Sequence, residues 1–204
     1  MDSSDPVAIE LVRAIHAGDT GSLGRLLADQ LLIDAGADPN GTTGGDQPES
    51  PLHWAASSDD ADVAEVLIGG GADIEMPGGA IGTPLDNAVG YGCWHVARLL
   101  VASGARVDKL WHAAALGLLP RLKELLTATP GPSPDDISDA FWQACHGGQR
   151  RAAELLLGRG ADVNATTAHS RGTPLDVAAQ LSTRRENLVT WLRDHDARAA
   201  EQEG

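Results

Sequence analysis

The chain repeats itself, and that repetition limits its fold more than any other feature. Three segments share one register: Ser50-Pro51-Leu52-His53-Trp54-Ala55-Ala56, Thr83-Pro84-Leu85-Asp86-Asn87-Ala88-Val89 and Thr173-Pro174-Leu175-Asp176-Val177-Ala178-Ala179. A second block recurs as Gly36-Ala37-Asp38, Gly71-Ala72-Asp73, Gly104-Ala105-Arg106 and Gly160-Ala161-Asp162-Val163-Asn164. Ala55 to Ala88 spans 33 residues, and so does Gly71 to Gly104. A unit this short has an apolar face it cannot cover alone, so neighbouring units must stack.

The residue chemistry of each unit describes a pair of helices. Thr or Ser before Pro starts a helix, because the hydroxyl caps free N–H groups and Pro fits the first turn. Leu followed by a small pair such as Ala55-Ala56 leaves a face slim enough for a neighbouring helix to lie close. Val63, Val66 and Leu67 then recur at helical spacing, and Gly69-Gly70-Gly71 ends the second helix. Val96, Leu99, Leu100 and Gly104 repeat that pattern one unit later.

These blocks resemble the ankyrin repeat, whose unit is ~33 residues with a T-P-L-H-x-A signature. The resemblance extends from about Ile9 to Arg198 and implies an all-α solenoid of about six stacked helix–turn–helix units with short hairpin fingers. The first Ala of each first helix, or its equivalent, falls at Ala14, Ala55, Ala88, Ala113, Ala144 and Ala178, with gaps of 41, 33, 25, 31 and 34. One domain over 1–204 is expected, with units near 6–37, 48–72, 82–105, 108–128, 136–161 and 172–198 and flexible segments at 39–50 and 129–135. Units four and five, Leu110-Trp111-His112-Ala113-Ala114 and Phe141-Trp142-Gln143-Ala144-Cys145, lack Thr-Pro and carry Trp in place of the signature His. Leu11 to Leu27 and Asn187 to Arg198 read as end caps, and Ala199 to Gly204 as a frayed tail.

Charge narrows the partners. Fifteen Lys and Arg stand against 29 Asp and Glu, a formal net charge of -14. Such a chain repels nucleic-acid phosphates and anionic membranes, and no basic run offsets it locally. No stretch approaches the ~18 apolar residues of a membrane span. Cys93 and Cys145 show no CxxC or metal-ligand spacing and read as small buried residues. No leader pattern opens the chain, and a soluble, reducing, cytoplasmic setting and a monomer are expected.

The resemblance implies protein–protein recognition through the fingers and the concave face of the first helices. Helical periodicity places that face at Arg13/His16/Ala17, Trp54/Ser57/Ser58, Asn87/Gly90/Tyr91, His112/Ala115/Leu116, Gln143/His146/Gly147 and Val177/Gln180/Leu181. Trp54, Asn87, Tyr91, His112, Gln143 and His146 form a polar-aromatic strip, with Trp111 and Trp142 beside it in sequence. These eight are the candidate binding residues, packing between repeats being the alternative for each Trp and for Asn87. The fingers at Asn40–Glu49, Glu75–Ile81 and Ala165–Arg171 complete the surface. In the family signature the His at His53 fastens its helix to an adjacent loop, and Asp86 and Asp176 hold the same position.

Catalysis has less to stand on. No HExxH, P-loop, CxxC pair or helix-opening GxGxxG is present, and Gly78-Gly79-Ala80-Ile81-Gly82 sits at a finger. No cofactor and no metal site are expected. The competing reading is a small-molecule enzyme or receptor with a closed pocket near units three to five. His112 would be its acid or base and Asp86 the helper, with Tyr91 and His146 nearby and Trp111 and Trp142 as walls. A third reading is a partner that shields a basic surface, motivated by the negative charge.

Overall fold

The structure is a computed structural model that describes residues 33, 34, 36–43, 47–166, 172–180 and 185–200. The unit expected at 6–37, Ala14, the cap at Leu11 to Leu27, His169, Leu181 and the tail beyond Ala200 lie wholly or almost wholly outside those residues. Among the described residues there are ten helices and no extended strand. The chain divides into two compact units, Met1–Arg106 and Val107–Gly204.

In the first unit, α1 (Pro51–Ser58) and α2 (Ala61–Gly69) form one hairpin, and α3 (Pro84–Tyr91) and α4 (Trp94–Ala102) the next. First helix packs on first helix, α1 on α3, and second on second, α2 on α4. The second unit holds α5 (Leu110–Ala115), α6 (Leu119–Leu126), α7 (Pro134–His146), α8 (Arg150–Leu157), α9 (Pro174–Ala178) and α10 (Glu186–Asp194). There α7 packs on α5, α8 and α9, and α8 also touches α6.

The small alanines do what their spacing implies. Ala55, Ala88, Ala113, Ala144 and Ala178 are all completely buried. So are their followers Ala56, Val89, Ala114 and Cys145, whereas Ala179, the C-cap of the short α9, is exposed. Burial pushes the Cys145 thiol far up, and burial followed by the Asp59 charge raises Cys93 to about 11, so both are inert thiols.

Three sets of side chains tie one hairpin to the next. The glycines of the Gly-Ala blocks, Gly36, Gly71, Gly104 and Gly160, all adopt φ between 91° and 100°, a left-handed turn other residues avoid. Asp38, Asp73 and Asp162 then each accept the N–H two residues on, at 2.9 Å. That turn aims the following side chain at the next repeat. Asn40 accepts from Asp73 N at 2.7 Å, Glu75 from Arg106 N at 2.7 Å, and Asn164 from Arg198 N at 2.7 Å. Asp59, itself at φ 56°, caps α4 of the following hairpin by accepting from His95 N and Val96 N.

The fingers of the first unit are antiparallel contacts of minimal length, Thr43 with Glu49 and Gly78 with Gly82. The Pro-rich run through Pro134, read from sequence as a linker, ends in a helix start. Ser133 donates its N–H and hydroxyl to Asp136 Oδ2 and accepts from Asp136 N, opening the 13-residue α7.

Candidate functional site

Each first helix brings to the surface or buries a particular set of the predicted residues, and the local bonds decide which. In α1, Ser50 N–H donates to His53 Nδ1 at 3.2 Å, which leaves the proton on Nε2. Nε2 then donates to Gly82 O at 3.0 Å, across 29 residues. Burial lowers the His53 pKa against the opposing pull of the Gly82 carbonyl and the Glu49 charge, so the ring is a neutral fastener. In α3 the same position is Asp86, whose Oδ2 accepts from Thr83 N at 2.7 Å and from Thr83 Oγ1 at 3.1 Å. That carboxylate, 1% exposed, is committed to the helix cap.

In α7 the fastening position is Trp142. Its indole N–H donates to Gly172 O at 3.0 Å, across 30 residues, and Gly172 precedes Thr173 as Gly82 precedes Thr83. The Trp that replaces the signature His therefore makes the same inter-repeat bond, and it is 7% exposed.

The polar-aromatic row splits by burial. Asn87 is 1% exposed; its Nδ2 donates to Ser57 Oγ at 3.1 Å and to Glu49 Oε1 at 3.2 Å, while its carbonyl oxygen has no partner among the described residues. His112 is 2% exposed with its ring edge-on to Trp111 at 4.1 Å. His146 is half-buried beside Trp142 at 5.2 Å, and burial pushes its pKa down to about 4. An imidazole so placed is neutral at neutral pH and a weak base. Trp54, Trp111 and Gln143 are half-buried, and Gln143 Oε1 has no partner among the described residues. The acid–base set is divided by chain position, Asp86 and Tyr91 belonging to the first unit and His112 and His146 to the second.

Tyr91 is the opposite case. It is 59% exposed at the end of α3, and Ile81, in the finger before that helix, is 36% exposed. Ile81 lies against the last turn of that helix, because a β-carbon on Gly90 would touch Ile81 Cδ1 at 3.4 Å. A finger and a first helix thus jointly offer apolar surface to solvent. Ile81 was legible only as the end of a finger, since spacing alone does not say which finger side chain points outward.

A sequence model of three ankyrin repeats matches residues 13–109, and a single ankyrin-repeat model matches 138–168. The chain belongs to the ankyrin-repeat family. No curated protein matches it. Ankyrin repeats generally serve as protein–protein interaction modules, and this ankyrin chain carries their fold in helices, turns and inter-repeat bonds alike. No helix among its described residues is long and apolar enough to cross a membrane.

Proposed function

We propose that this chain is a non-catalytic interaction module that binds a protein partner through its fingers and the exposed residues of its first helices. The observation that carries the reading is the exposure of two large apolar side chains, Ile81 on a finger and Tyr91 at the end of the first helix that follows it. Tyr91 supplies a rigid amphipathic ring of the kind that anchors interfaces. Trp54, half-buried on the first helix one repeat earlier, extends the binding set. Asn87 serves that surface from behind, by tying the helix that carries Tyr91 to Ser57 and Glu49. Two buried free thiols fit a reducing cytoplasmic setting.

Affinity capture with a Trp54→Ala/Tyr91→Ala double variant tests the proposal. The partner recovered by the unmodified chain should be lost from the variant while its helical circular dichroism is kept. Undiminished recovery of the same partner by the folded variant refutes the surface.

A further inference from the structure

Two fastening registers run through the repeats, and they meet at one place. In the register two residues before the buried alanine, His53 and Trp142 each bond the glycine carbonyl that precedes the next Thr cap. The α5 residue of that register is Trp111, half-buried, and its indole N–H makes no hydrogen bond among the described residues. In the register two residues after the Gly-Ala-Asp aspartate, Asn40, Glu75 and Asn164 clamp the next repeat. The third block puts Asp108 there, and its carboxylate faces Arg121 at 3.6 Å. Only 25 residues separate Ala88 from Ala113, so the finger of this unit is reduced to almost nothing.

An open hollow of about 440 Å³ occupies the place, inside the second unit. Trp111, Leu125, Pro130 and Pro132 form apolar walls, and Asp108, Asp136 and Asp139 bring carboxylates to it. Its volume is within the usual range of ligand pockets, about 300–1,000 Å³. Lys109 is its single lining cation, and the ammonium stands 5.6 Å from the Trp111 ring centroid. The indole face therefore already receives a positive charge.

We infer that this hollow docks an arginine-bearing, extended segment of a protein partner. The guanidinium lies over Trp111 in place of the Lys109 ammonium, facing Asp108 and Asp139, and a backbone carbonyl of the segment accepts the Trp111 N–H. Arginine is favoured over lysine because its planar, weakly hydrated cation stacks on indole and pairs bidentately with carboxylate. The inference rests on the protein-binding reading but uses a surface other than Tyr91.

The test is a titration of the full chain followed through the Trp111 indole ¹H–¹⁵N cross-peak, assigned with Trp111→Phe. The probes are acetyl-Gly-Arg-Gly-Arg-Gly-amide and its citrulline and lysine counterparts. The arginine peptide should shift the Trp111 peak saturably and bind roughly tenfold more tightly than the citrulline peptide. Asp108→Asn/Asp139→Asn should weaken it by roughly tenfold with the amide spectrum otherwise intact, and Lys109→Met should tighten it severalfold. A silent Trp111 peak, equal binding of the citrulline peptide, or indifference to both variants overturns the inference; a lysine peptide that binds as tightly overturns the choice of arginine. Because the probe is a peptide, these outcomes do not depend on whether Tyr91 captures a partner: capture through Tyr91 with a silent Trp111 refutes the hollow alone.

Discussion

At position 142 a tryptophan does the work of a histidine. An imidazole Nε2–H and an indole Nε1–H both donate one hydrogen bond from a ring of limited freedom, so either reaches a carbonyl about thirty residues on. Trp142→Phe keeps most of the ring and removes the donor. It should cost about 1–2 kcal/mol in urea unfolding, since Gly172 O is left unmet, whereas Trp142→Ala should cost about 3–5 kcal/mol. His146 links stability to pH. Its folded pKa, about 4, lies below the ordinary histidine value of 6.5, so unfolding takes up a proton between those values. The stabilisation is complete above pH 6.5 and is lost as pH falls towards 4. His53, lowered mainly by burial, acts in the same direction. Melting curves should therefore shift down steadily from pH 7 to pH 4.5, and His146→Gln should flatten part of that slope.

Between helices, close approach is set by what side chains are missing. At Gly147, the C-cap of α7, φ is -77°, which any residue adopts, yet a β-carbon would run into the backbone carbonyl of Ala115 at the end of α5. Gly147→Ala must push α5 and α7 apart and should cost about 1–3 kcal/mol by the same measurement. At Gly160, by contrast, a β-carbon meets nothing within 4 Å and the constraint is φ 93° alone. Much of this level was readable in the sequence. Ser50-Pro51, Thr83-Pro84 and Thr173-Pro174 each start a first helix, and the Gly-Ala blocks turn where their spacing puts them. Ser133-Pro134 was hidden because its neighbours Pro130 and Pro132 give the run a linker composition, and α7 starts two turns ahead of the register shared by the other caps. Asp59 as the cap of α4 was illegible for another reason: the N–H groups it accepts from lie 36 and 37 residues away, and no local pattern marks them. Burial of Asn87 and His112 could not be told from helical period either, since the face of a first helix is shared between solvent and the next repeat.

For the molecule as a whole, charge and apolar surface assign different tasks. A net charge of -14 spreads over many side chains and names no site. The apolar exposure is local: among the described residues Ile81 and Tyr91 are the large apolar side chains left open to solvent. His95, on α4, marks a contrasting place, with a side chain 78% exposed and its Nδ1 2.7 Å from Asp59. The two positions can be compared directly. A photo-crosslinker, p-benzoylphenylalanine, placed once at Tyr91 and once at His95 in the full chain should report what each surface meets in the cell. The account predicts one strong crosslinked protein species from position 91 that is absent from position 95; equal crosslinking at both positions, or none at 91 with a folded chain, would contradict it.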